Sequence, residues 1–187
     1  DRPLQYIWAQ FQNYIVGYDS FRGLLVTFLS SSITILSSFL LIRILLKNNL
    51  YSFLVTSIYV LLVNKLEIFH YPVMAHVNIP SSLYILSLYF FIRYFEKLSN
   101  SDLGFSFFFY SLGLFWYEVG FFIPLIMILY SFIFKREFLF KKQLIFFYSG
   151  LLFLILFYLI FRFSGAFGFS DLMSGRSVSL ADLPQGF

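Results

Sequence analysis

Residues 24–46 read LLVTFLSSSITILSSFLLIRILL and carry a single charge, at Arg43. An α-helix needs about 20 predominantly apolar residues to cross a hydrocarbon layer of ~30 Å, and this stretch meets that length without a break. Water cannot solvate so much apolar surface, whereas lipid can. We therefore predict an all-α fold, a polytopic bundle of transmembrane helices.

The composition of the whole chain favours a membrane protein over a soluble domain. Hydrophobic residues make up 60% of the 187 positions and charged residues 12%, with a mean hydropathy of +0.83. Soluble domains carry about 45–50% apolar and about 25% charged residues. The net charge of +4 indicates contact with membrane lipid and no nucleic acid, because the basic residues lie at the ends of apolar runs.

Further apolar runs bring the predicted number of spans to about six, the later ones covering 50–63, 79–95, 103–117, 119–134 and 144–161. Between Asp102 and Lys135 the only charge is Glu118. A single helix over that stretch would be ~48 Å long at 1.5 Å per residue, which is too long to cross once. We therefore expect two short helices that meet near Glu118 and Gly120.

The first span also has a polar face. Hydroxyl side chains recur within about a third of the helix circumference, at Thr27, Ser30, Ser31, Thr34, Ser37 and Ser38. Small hydroxyl residues let helices approach closely and hydrogen-bond across an interface. We interpret this face as a packing seam, with the wall of a polar cavity as the alternative.

Basic residues predict how the spans are oriented. One set of alternating connections holds eight, namely Arg43, Lys47, Arg93, Lys97, Lys135, Arg136, Lys141 and Lys142. The other side holds five, namely Arg2, Arg22, Lys65, Arg162 and Arg176. The richer side is expected to be cytoplasmic.

These assignments divide the chain into an outward juxtamembrane segment at 1–23, a transmembrane bundle at 24–162 and an outward loop or tail at 163–187. The sequence begins at Asp1 without a Met, so we expect a piece of a longer protein. Its preference for Phe, Ile, Lys, Asn and Tyr over Ala is typical of AT-rich coding, and we expect a bacterial inner (cytoplasmic) membrane location.

Glu118 is the most informative candidate for chemistry. A carboxylate among aromatic residues is costly at membrane depth unless it has a partner or a wet cavity; the alternative is a turn residue at the headgroup level. Asp19 can serve as a helix N-cap, His70 as an interfacial aromatic-belt residue, and Arg162 can extend to the headgroups. With no Cys and two His, the sequence predicts no metal site and identifies no cofactor.

Several short motifs occur in a characteristic order. They are DRPL at 1–4, GYD at 17–19, YP at 71–72, LFWYE at 114–118 and PLI at 124–126. This order resembles the polytopic glycosyltransferases of the GT-C superfamily, especially the protein O-mannosyltransferase-like branch. Arg162 falls where that branch often has an Arg ending a span, whereas Tyr117 replaces the Lys that usually precedes the Glu.

The resemblance implies transfer of a sugar from a polyprenyl-phosphate-linked donor to a glycan, lipid or protein acceptor on the extracytoplasmic face. It implies catalytic roles for Asp1, as the general base or its neighbour, and for Glu118, as a carboxylate that organises the site. The family's catalytic acid usually precedes the Arg-Pro-Leu stretch, so it lies upstream or is Asp1. The expected substrate-binding residues are Arg2, Asp19, His70 and Arg162.

A non-enzymatic protein is the main alternative. A transporter or a lipid-linked glycan flippase component would use the same polar face and outward carboxylate to bind a substrate. Transporters more often show discontinuous helices in paired repeats, and no internal repeat is present in this sequence.

The lack of native Cys makes the predicted orientation testable. Single cysteines at Asn48, Asn100 and Gln143 should resist a membrane-impermeant thiol reagent in intact cells and react after permeabilisation, because all three lie on the side with more Lys and Arg. Labelling of these positions in intact cells would overturn the orientation.

Overall fold

The computed structural model describes residues 4, 7–8, 10–11, 14, 20–62 and 75–163. Helices dominate these residues, and two short 3₁₀ turns, Glu118–Phe122 and Arg136–Phe138, connect the later ones. The α-helices from residue 20 onward are α1 Ser20–Leu46, α2 Asn49–Leu61, α3 Ala75–Lys97, α4 Asn100–Trp116, α5 Ile123–Phe134 and α6 Lys142–Phe163. The all-α prediction is confirmed.

The hydroxyl face of α1 packs against α3. All six of its Ser and Thr side chains are buried. Thr34 Oγ1 donates to the Asn78 carbonyl at 3.0 Å, and Asn78 Nδ2 donates to Ser31 Oγ at 3.1 Å. Small side chains permit the close approach that these bonds need. The face is therefore a packing seam, as predicted, and Asn78 is the residue that completes it.

Hydroxyl groups also join the other helices. Ser87 Oγ of α3 donates to the Ser106 carbonyl of α4 at 2.8 Å, and Ser131 Oγ of α5 lies 2.8 Å from the Tyr148 hydroxyl of α6. Aromatic rings fill the space between α3, α5 and α6. The Phe91 and Phe147 rings, for example, stack with their centroids 5.6 Å apart.

Large apolar residues on the outside of the bundle give it the surface of a membrane protein. On α1 the exposed positions are held by large apolar residues such as Phe28 at 69% and Leu36 at 58%. On α6, Phe153 and Ile160 are about as exposed, at 71% and 69%. A soluble protein would turn these faces inward, whereas hydrocarbon solvates them.

Two helices, Phe21–Leu46 and Lys142–Arg162, are long and apolar enough to cross a membrane. α2 and α5 are apolar but have only 13 and 12 residues, so a perpendicular crossing would require thinning of the bilayer or shielding by neighbours. The number of crossings therefore lies between two and six. The division of the chain at residues 23 and 162 stays a prediction.

The break predicted between the fourth and fifth spans is confirmed. α4 ends at Trp116, the 3₁₀ turn spans Glu118–Phe122, and α5 begins at Ile123 with Pro124 in its first turn. Proline suits that position because its missing N–H would have no partner within the helix.

The helix ends fall into two groups at opposite ends of the bundle. Lys47 Nζ lies 3.5 Å from Glu96 Oε1, so α1 and α3 finish together. The Tyr94 hydroxyl donates to Gln143 Oε1 at 3.1 Å, so α6 begins there too. Lys47 and Leu98 have positive φ angles of 53° and 52°, and each ends its helix with a left-handed residue that turns the chain back.

Replacing each of two glycines of α4 by alanine should have opposite effects on stability, because their surroundings differ. A Cβ at Gly113 would lie 2.6 Å from Tyr84 Cε1, whereas a Cβ at Gly104 would meet nothing within 4 Å. Gly113→Ala should lower the free energy of unfolding by about 1–3 kcal/mol through overpacking. Gly104→Ala should raise it by about 0.5–1 kcal/mol, because alanine loses less backbone entropy in a helix.

Unfolding of both variants in one detergent would measure the difference. Equal stability of Gly113→Ala and the wild type would show that Tyr84 moves aside at no cost.

Candidate functional site

The candidate site lies at the corner between α4 and α5. The Tyr84 hydroxyl of α3 donates a hydrogen bond to the Tyr117 carbonyl at this corner. A Cβ at Gly113 or Gly120 would overlap the Tyr84 ring, so the two glycines let the ring fit between α4 and the 3₁₀ turn. Tyr84 therefore fixes the backbone immediately before Glu118.

Glu118 forms an ion pair with Arg162. Glu118 Oε1 lies 2.8 Å from Arg162 Nη1, a distance typical of a charge-assisted hydrogen bond. The Glu118 side chain is 20% exposed and the Arg162 side chain 36% exposed. Both groups are thus accessible at one end of the bundle while each compensates the charge of the other.

Tyr158 holds α6 in the position that this ion pair needs. It lies one helical turn before Arg162 and is 2% exposed. Its ring contacts Phe115 and Phe121 edge-on, with the centroids 5.8 Å away in each case. These two residues flank Glu118 in the sequence, so the contacts bring the end of α6 to the corner.

Two tryptophans next to the corner were not predicted from the sequence. The Trp8 and Trp116 rings lie 5.6 Å apart between centroids. Neither indole N–H has a hydrogen-bond acceptor among the described residues, although both nitrogens are buried. Tryptophan usually finds a partner for this donor when it is buried. The only sequence signal was the position of Trp116 two residues before Glu118.

The structure brings together two of the site residues expected from the sequence, Glu118 and Arg162. Glu118 lies in the 3₁₀ turn and its carboxylate has a cationic partner, so both interpretations of this residue, a functional carboxylate and a turn residue at the headgroup level, stay predictions. The other four expected site residues lie outside the described residues: Asp1, Arg2, Asp19 and His70. Within the described part of the chain, no three His, Asp or Glu side chains come together as a metal site would require.

Comparison with known protein families identifies a match. The family model of dolichyl-phosphate-mannose-protein mannosyltransferases matches residues 1–161, which is well over half of the chain. The match includes Glu118 and the whole α4–α5 corner, and it ends one residue before Arg162. No curated protein and no solved structure matches the chain.

A double-mutant cycle should detect the ion pair. Glu118→Gln and Arg162→Gln should each lower the free energy of unfolding, and the double variant should lose less than their sum by about 0.5–1 kcal/mol, as expected for a partly exposed pair. Glu118→Gln with Arg136→Gln is the matched control, because exposed Arg136 lies in the turn between α5 and α6 at the other end. Equal coupling in both cycles would exclude a specific contact.

Proposed function

The chain belongs to the dolichyl-phosphate-mannose-protein mannosyltransferase family, and from this premise we propose that it transfers a sugar from a polyprenyl-phosphate-linked donor to an acceptor on the extracytoplasmic side of its membrane. Membership makes it a membrane glycosyltransferase in general. The donor, the acceptor class and the side of the membrane are the proposed part.

The ion pair of Glu118 and Arg162 is the observation that carries the proposal. In the proposed reaction an acceptor hydroxyl oxygen bonds to the anomeric carbon of the sugar while the bond from that carbon to the phosphate oxygen breaks. The polyprenyl phosphate therefore leaves with additional negative charge. A guanidinium binds phosphate oxygens through two parallel N–H donors, so an accessible arginine is well suited to this leaving group.

Glu118 acts in this scheme by holding Arg162. With Oε1 2.8 Å from Nη1, the carboxylate fixes the guanidinium before the donor arrives, and a group that is already oriented stabilises developing charge without reorganisation. The Arg162 side chain is 36% exposed, so phosphate can approach the guanidinium from the side away from Glu118. The buried indole N–H groups of Trp8 and Trp116 are further donors for a sugar or phosphate oxygen after a small side-chain shift.

The general base must lie within hydrogen-bond reach of the acceptor hydroxyl. We assign this role to Asp1 or to a carboxylate close to it, and phosphate contact to Arg2. Asp19 and His70 are the proposed contacts to the sugar or acceptor.

The test is a transfer assay on the full-length membrane protein, reconstituted with a synthetic polyprenyl-phosphate sugar and candidate acceptors. Glu118→Gln should reduce transfer roughly a hundredfold, the loss expected when a reacting group is misplaced by about 1 Å. Arg162→Gln should lose at least as much. Arg162→Lys should retain more activity, since it keeps the charge but not the paired donors.

Glu137→Gln is the matched control, because Glu137 is an exposed carboxylate in the 3₁₀ turn between α5 and α6 and should leave transfer unchanged. Full activity of Glu118→Gln would remove this carboxylate from the site. Movement of an intact lipid-linked sugar across the bilayer, with no sugar released from its carrier, would favour the flippase alternative.

A further inference from the structure

A concave site lies at the end of the bundle opposite to Glu118, where α1 and α3 finish together. It is a cleft of about 440 Å³. α1 and its terminal turn contribute one wall and the last two turns of α3 the other, through Leu40, Arg43, Ile44, Lys47, Tyr89, Arg93, Glu96 and Lys97. α6 runs from this end to Arg162, so the cleft and the Glu118 site are separated by about 30 Å at 1.5 Å per residue.

The cleft is strongly basic. Four cationic side chains line it and one carboxylate, Glu96, opposes them by pairing with Lys47 at 3.5 Å. Arg43 and Lys97 make no ion pair within the part of the chain that the structure describes, and both are exposed. An anion that entered the cleft would therefore meet uncompensated positive charge from both helices.

Arg93 contacts one carboxylate and two aromatic rings at the back of this cleft. Its Nε lies 3.5 Å from Oδ1 of Asp102, whose side chain is only 6% exposed. Its guanidinium carbon lies 5.7 Å from the centroid of the Phe90 ring and 6.0 Å from that of the Tyr89 ring, within the range of cation–π attraction. The Arg93 side chain remains 31% exposed. Asp102 and the two rings thus orient a cation that still has access to the cleft.

We propose that this cleft binds the phosphate group of an anionic membrane phospholipid. An oriented guanidinium can present two parallel donors to phosphate oxygens, and Arg43 and Lys97 supply the remaining charge. Leu40 and Ile44 give the cleft an apolar side along which acyl chains can continue. Orientation of the helices needs only basic residues near their ends; it requires neither a cleft nor an arginine held by a buried carboxylate.

The proposal is independent of the sugar-transfer mechanism, because no group of the Glu118 site contributes to the cleft. A lipid bound here joins the end of α1 to that of α3, and would stabilise the bundle at the end remote from the reaction.

Native mass spectrometry of the full-length protein in a neutral detergent tests the proposal, with phosphatidylglycerol and phosphatidylcholine of identical acyl chains as probes. The wild type should bind phosphatidylglycerol at least about 25-fold more tightly, because each of the two cations without an ion pair is expected to contribute about fivefold near an anionic group. Arg43→Gln combined with Lys97→Gln should weaken phosphatidylglycerol binding by about the same factor and leave phosphatidylcholine binding unchanged.

The matched control is Arg136→Gln combined with Lys142→Gln. These exposed residues also comprise one Arg and one Lys at the same end of the bundle, but neither lines the cleft. The control should bind phosphatidylglycerol as the wild type does. Equal losses in both double variants would show that net surface charge alone attracts the lipid and would overturn the proposal.

Two further measurements define the ligand and the role of Asp102. Glycerol 3-phosphate should not displace the lipid; displacement at equal concentration would indicate a site for a soluble phosphate and overturn the lipid assignment. Asp102→Asn makes the cleft more positive yet releases Arg93, so weaker phosphatidylglycerol binding is expected from a positioning residue. Tighter binding would show that Asp102 only lowers the charge of the cleft.

Discussion

Hydrocarbon has no hydrogen-bond donors or acceptors, so a polar side chain within the bundle needs a hydrogen-bond partner elsewhere in the protein. The seam between α1 and α3 follows from this constraint. The Thr34 hydroxyl donates to carbonyls of its own helix and of Asn78 on α3, and the Ser31 hydroxyl accepts a bond from the Asn78 amide. The large apolar residues of α1 are exposed. An unsatisfied polar group would cost roughly several kcal/mol in such surroundings. The seam therefore holds α3 against α1, and α3 in turn packs against α4.

The α4–α5 corner depends on that placement. Tyr84 lies on α3, six residues after the seam residue Asn78, and its hydroxyl donates to the Tyr117 carbonyl. The ring occupies the space that Gly113 and Gly120 leave open. The backbone before Glu118 is thus held by a side chain from a different helix. The carboxylate can then meet the arginine at the end of α6 without either group being buried completely.

Charge is segregated to the two ends of the bundle for the same reason. Ion pairs form where helices finish: Glu118 with Arg162 at one end, and Lys47 with Glu96 and Arg93 with Asp102 at the other. Between them the described side chains are uncharged. This separation gives the protein two chemically different surfaces on one scaffold, an acidic–basic pair beside tryptophans and a cluster of cations in a cleft.

The sequence by itself determined the helices, the break near Glu118 and the packing role of the hydroxyl face on α1. Those features are local, because hydropathy and helical period fix them within a single segment. It also identified Glu118 and Arg162 as candidates, through the resemblance to a glycosyltransferase family. Only the tertiary structure decided that the two residues pair, that Asn78 completes the seam and that Asp102 holds Arg93. Several cations at each end could have balanced a given carboxylate, and the choice among them depends on how helices distant in sequence pack together.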